Sequence, residues 1–85
     1  MEITVQYQGL AARQSGCERE TFILPQTATA TDLLQQVLAR HEPLQRSRRA
    51  LFMAVNSKIL PAPARQEYRL KPGDQVIISI KIIGG

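Results

Sequence analysis

One stretch of this chain, and only one, carries the apolar periodicity of an amphipathic helix. Ala30, Leu33, Leu34, Val37 and Leu38 recur at i, i+3, i+4, i+7 and i+8, the spacing that lines one face of an α-helix. Gln35, Gln36, Ala39 and Arg40 fill the other side. Thr29 and Asp32 stand in the positions of a capping box, with Asp32 where Glu or Gln is usual. His41-Glu42-Pro43 closes the segment, because the residue before a proline is driven out of the helical region. A single helix of this kind covers one face of one sheet. The rest of the chain must therefore supply strands and loops around one core.

The flanking segments read accordingly. Residues 2–8 alternate Ile3, Val5, Tyr7 against Glu2, Thr4, Gln6, the period of a half-buried strand. Gly9, Ser15 and Gly16 mark residues 9–18 as a loop. Glu20 to Leu24 is a second strand stopped by Pro25, and its inward face is either Phe22 with Leu24 or Ile23. A basic loop, Arg46-Ser47-Arg48-Arg49, leads into a third strand, Leu51 to Val55. Asn56-Ser57-Lys58 turns the chain into a short edge segment at Ile59-Leu60, and Pro61 and Pro63 open another loop. Pro72-Gly73 has the order that a type II turn favours, and the last strand starts at Gln75. The order β-β-α-β-β-β begins with a hairpin. It predicts an α+β fold, a mixed sheet of four to five strands with one helix packed on one face. Ile3, Val5, Val55, Val76, Ile78 and Ile80 meet Leu33, Leu34, Val37 and Leu38 in its core. This is the ubiquitin-like architecture called the β-grasp.

With 85 residues the chain forms one domain, residues 1–85, with 83–85 expected as a flexible tail. It holds no apolar run of bilayer length, and Met1-Glu2-Ile3-Thr4-Val5 lacks the start of a signal peptide. A lone Cys17 excludes an internal disulfide, so a cytoplasmic location with no membrane partner is expected. No second Cys or His neighbours Cys17 in sequence, and His41 lacks a partner at metal-ligand spacing, so no metal site is expected. Paired carboxylates, phosphate loops and nucleophile triads are absent from the pattern. Arg46, Arg48 and Arg49, with Arg40 nearby and a net charge of +4, suit an acidic docking partner or, in a competing class, a nucleic-acid-binding module. Four aromatic residues are too few for a base-stacking platform, so nucleic acid is the weaker reading.

The end of the sequence is the most informative part for function. Gly84-Gly85 follows directly on the apolar run Val76 to Ile83. Glycine adds backbone entropy and no packing to a strand end. Bare glycines before a carboxylate suit a tail that threads a narrow slot and presents its terminal carbonyl to a reactive centre.

Four features, in order along the chain, resemble the MoaD/ThiS group of ubiquitin-like sulfur carriers. They are Leu24-Pro25 leading into Ala28 to Leu34, Ala54-Val55-Asn56, Leu70-Lys71-Pro72-Gly73-Asp74-Gln75-Val76, and Gly84-Gly85. The resemblance implies a carrier rather than an enzyme, with no bound cofactor. An E1-like adenylating enzyme would use ATP to activate the Gly85 carboxylate. A sulfur donor such as a cysteine desulfurase or rhodanese would convert it to a thiocarboxylate. Gly84 and Ile83 would thread the partner's channel.

Within the group, the likeness is nearest to the small subunits of molybdopterin synthase. That implies the synthase large subunit as partner and molybdenum cofactor biosynthesis as pathway. Lys81-Ile82-Ile83 departs from the prolines frequent in that subgroup. Carriers for thiamine thiazole, cysteine, siderophore or tRNA thiolation remain alternatives.

Alternation along the last strand also predicts a docking face. Val76, Ile78, Ile80 and Ile82 should face the helix. Ile77, Ser79, Lys81 and Ile83 should lie on the open side with Phe52 and Ala54. The expected partner-binding residues are therefore Phe52, Ala54, Ile77, Ser79 and Lys81.

Overall fold

The computed structural model describes residues 1–81. Its strands are β1 (Glu2–Tyr7), β2 (Arg19–Ile23), β3 (Leu51–Val55), β4 (Lys58–Ile59) and β5 (Gln75–Ile80). Its α-helices are α1 (Leu10–Ser15), α2 (Ala30–Arg40) and α3 (Glu42–Gln45). The strands form one mixed sheet in the order β2-β1-β5-β3-β4. β1 and β5 run parallel at its centre, and the other neighbours pair antiparallel. This is the expected β-grasp arrangement.

Alternation sets the inner face. Ile3, Val5 and Tyr7 of β1, Leu51, Met53 and Val55 of β3, and Val76 and Ile78 of β5 are all buried. On β2 the inward residue is Phe22, continued by buried Leu24, while Ile23 is 68% exposed. That decides the face the sequence left open. α2 lays Ala30, Leu33 and Val37 against this surface, and Leu34, Leu38 and Ile80 pack half-buried around it. A fully buried Val, Leu, Ile or Phe side chain contributes roughly 1.5–3 kcal/mol, so this layer is the main source of stability. The capping box forms as expected: Asp32 N donates to Thr29 Oγ1 at 3.2 Å, and Thr29 N donates to Asp32 Oδ2 at 2.9 Å.

The helix count departs from expectation. Residues 9–18 contain α1 rather than a bare loop. Leu10 to Gln14 are good helix formers, and Gly9 (φ 57°) and Gly16 (φ 78°) close the two ends in conformations that favour glycine. A helix this short buries little more than Ala11, too little for a legible stripe. Pro43 ends α2 but also sits in the first turn of α3, where a missing N–H costs nothing. Buried Leu44 anchors that turn to the core. The edge strand lies at Lys58–Ile59, one residue earlier than expected.

Two turns fix the exit of the last strand. Asn56 (φ 50°) and Ser57 (φ 72°) make a two-residue hairpin of the type that needs positive φ at both positions. Gly73 (φ 88°) closes the turn before β5, where Asp74 N donates to Lys71 O at 3.0 Å. The turns are clipped together. Asn56 Nδ2 donates to Asp74 Oδ1 at 2.9 Å, Gln75 N donates to Asn56 Oδ1 at 3.0 Å, and Lys71 N donates to Asp74 Oδ2 at 2.8 Å. Asn56 and Asp74 thus hold β5 in register against β3.

Candidate functional site

Among the described residues, the sheet is covered on one face only. On the other, Ala54 pairs with Ile77 and Phe52 with Ser79, while Ile59 of β4 pairs with Ala54. Ile59, Ala54 and Ile77 therefore form an apolar row across three strands, with Phe52 beside it. Ile59 is 70% exposed and Phe52 37%. Thr4, Gln6 and Gln75 border the row with polar side chains on β1 and the start of β5. An apolar patch with a polar rim is the surface expected of a protein-binding site.

This patch adjoins the end of the described chain. Lys81 N donates to Ala50 O at 2.8 Å, extending the β3–β5 ladder by one step. The Lys81 ammonium lies 5.7 Å from the centre of the Phe52 ring, within cation–π reach. Arg48 and Arg49, both exposed, lie immediately before Ala50 in a short 3₁₀ turn, so positive charge borders the same exit. Ile82, Ile83, Gly84 and Gly85 lie outside the described residues. From Lys81 the remaining four residues span at most about 14 Å. The residues predicted from alternation, Phe52, Ala54, Ile77, Ser79 and Lys81, thus share one surface beside that exit.

The other sequence candidates separate. Arg40 does not join the basic turn. Its guanidinium bonds Glu20 Oε2 at 3.1 Å and stacks 4.4 Å from the centre of the Phe22 ring. Tyr7 and Phe22 are buried, which removes two of the four aromatic residues from any base-stacking surface.

One constellation was missed by sequence reading. Cys17, Glu20 and His41 have ligand-capable atoms all within 4.8 Å of one another. Neither Cys17 nor His41 has a partner at metal-ligand spacing in the sequence, but the fold brings the two together with Glu20. Glu20 and Phe22 share the inner face of β2, and α2 ends above them at His41. Glu20 Oε1 bonds His41 Nε2 at 2.7 Å and accepts from Tyr7 Oη at 2.7 Å. Burial acts to raise the Glu20 pKa, but the hydrogen bonds from His41, Tyr7 and Arg40 outweigh it and hold the carboxyl below its ordinary range. Burial, reinforced by the Glu20 carboxylate, pushes the Tyr7 phenol well above its usual value, so it remains a donor. Sequence separations of 3 and 21–24 residues gave no local signal for this cluster.

The fold defines a ubiquitin-like β-grasp protein whose described residues leave one partly apolar sheet face open, beside Lys81. The pattern of the ThiS family matches residues 5–85. The molybdopterin synthase sulfur carrier subunit of Chlamydomonas reinhardtii is 31% identical over 85 residues, with 100% of both chains covered. The chain belongs to the ThiS family. Among solved structures, a protein of Pyrococcus furiosus assigned as molybdopterin converting factor subunit 1 superposes with a TM-score of 0.82 at 22% identity, covering 96% of this chain and 99% of that one. A complex of subunits 1 and 2 of the molybdopterin-converting factor from Helicobacter pylori gives a TM-score of 0.68 at 20% identity over 100% of both chains. These two likenesses show the shared fold. No helix among the described residues is long and apolar enough to cross a membrane.

Proposed function

We propose that this chain carries sulfur as a thiocarboxylate on Gly85 and is itself a non-catalytic carrier. Membership of the ThiS family over residues 5–85 carries the reading. The chemistry explains why such a carrier needs help. A carboxylate resists nucleophiles, because its charge is delocalised and oxide is a poor leaving group. In the proposed first step, a Gly85 oxygen attacks the α-phosphorus of ATP on an E1-like enzyme, and pyrophosphate departs. A sulfur nucleophile then attacks the acyl carbon, and AMP departs. If the donor is a persulfide, an acyl disulfide forms first, and a thiol cleaves it to the thiocarboxylate. Gly84 and Gly85 have no Cβ to block either partner's channel.

The identity of the curated relative and the Helicobacter pylori complex support a molybdopterin synthase large subunit as the acceptor enzyme. The row Ile59, Ala54 and Ile77, with Phe52, would be the docking surface. Arg48, Arg49 and Lys81 would meet acidic groups at its edge. ATP–pyrophosphate exchange by the cognate activating enzyme tests the assignment. Exchange should be stimulated by the full chain and abolished by removal of Gly85. Ile77→Asp or Phe52→Asp should weaken docking by at least about 1 kcal/mol, roughly fivefold, without unfolding the monomer. Equal exchange with and without Gly85 would overturn the proposal.

A further inference from the structure

We propose that Cys17, Glu20 and His41 form a binding site for a thiolate-tolerant divalent cation of the zinc type. The proposal does not rest on the carrier reading. The donor set is a thiol, a carboxylate and an imidazole, the three side-chain classes that zinc accepts. They come from three places: the segment before β2, β2 itself and the residue that ends α2. Such a site ties elements together that are distant in sequence. All three residues are half-buried, so water and ions reach them while the surroundings still limit their freedom.

The geometry needs only local adjustment. In a tetrahedral zinc site, bond lengths of about 2.0–2.3 Å put neighbouring ligand atoms roughly 3.3–3.6 Å apart. The Glu20 Oε1 to His41 Nε2 separation of 2.7 Å must open slightly, as an ion replaces the shared proton. Cys17 Sγ, within 4.8 Å of both, must close by about an ångström if it stands at that limit. Among the described residues, Cys17 Sγ donates its one side-chain hydrogen bond to Ser15 Oγ at 3.9 Å, a weak contact that is readily given up. Tyr7 Oη already donates to Glu20 Oε1 at 2.7 Å and would continue to orient the carboxylate from outside the ligand set. The Tyr7 ring meets His41 edge-on, with centroids 5.6 Å apart and planes at 83°, which braces the imidazole. Three protein ligands leave a fourth position for water or a partner's donor. Arg40 is the opposing feature, a cation on Glu20 Oε2. Its side chain is 49% exposed and has room to swing into solvent.

Cobalt(II) is the probe, added to the tag-free full chain. The expected result is a one-to-one complex with a thiolate-to-cobalt charge-transfer band and the intense visible bands of tetrahedral cobalt, bleached by added zinc. Cys17→Ser should remove the charge-transfer band, and Glu20→Gln or His41→Gln should weaken binding at least tenfold. Arg40→Gln should tighten it several-fold by removing a like charge. On the unaltered protein, zinc should slow alkylation of Cys17. Only weak octahedral bands, a charge-transfer band that survives in Cys17→Ser, or Cys17 alkylation indifferent to zinc would each overturn the proposal. So would an equal loss of binding in Arg40→Gln and Cys17→Ser, because it would trace the effect to general loosening of the cluster.

Discussion

At Glu20 a single carboxylate faces His41, Tyr7 and Arg40. Its pKa in the folded chain lies below the ordinary value. A carboxyl depressed on folding stabilises the protein above its unfolded pKa, and that stability disappears as pH falls through the folded value. Urea midpoints of the native protein should therefore drop on acidification below about pH 5. Glu20→Gln should start lower at neutral pH and show a flatter acid limb. Parallel acid limbs would mean that Glu20 is not the coupled group. Arg65 is a second residue whose role appears only in the fold. It is buried, its Nε donates to Leu60 O and its Nη2 to Leu51 O, both at 3.2 Å. Burial lowers its pKa from the ordinary guanidinium value. Arg65→Met keeps most of the stem but leaves both carbonyls without this donor. A loss of about 2 kcal/mol in urea unfolding is expected, the scale of hydrogen bonds to a charged group. A change within experimental error would show that water replaces the guanidinium without cost.

Among the elements, the hairpin between β3 and β4 carries the clearest local strain. Ser57 holds φ 72°, a conformation that costs an L-residue roughly 1–2 kcal/mol, partly offset in glycine by its greater freedom when unfolded. Ser57→Gly should raise stability by about 0.5 kcal/mol with no change in the denaturant slope. Destabilisation would mean that the Ser57 side chain makes a contact worth more than the strain. This turn also shows how far sequence reading reaches. Asn56-Ser57 and Pro72-Gly73 were legible because turns demand particular residues at particular positions. α2 was legible from five apolar residues and a cap. α1 and α3 were not, because a helix of six or four residues buries about one side chain and leaves no periodicity to read. The residues of the open sheet face followed from strand parity alone, which needs no knowledge of the partner strand. The Cys17–Glu20–His41 cluster did not follow, because its members meet only after β2 pairs with β1 and α2 lies across them.

For the whole molecule, the asymmetry of the sheet links fold to function. One face is filled by α2 and the core. Among the described residues, the other presents Ile59, Ala54, Ile77 and Phe52 to solvent, and the described chain ends at Lys81 beside them. On the proposed function, a partner that grips this face would need to reach only four residues beyond Lys81 to meet Gly85. The central claim is that Gly85 receives sulfur, and intact-protein mass spectrometry tests it most directly. The chain is incubated with its activating enzyme, ATP and a sulfur donor. The expected result is a mass gain equal to exchange of one oxygen for sulfur, localised to the C-terminal peptide and absent when Gly85 is removed or ATP omitted. No such gain from a competent enzyme mixture, or an equal gain in the chain lacking Gly85, would contradict the account.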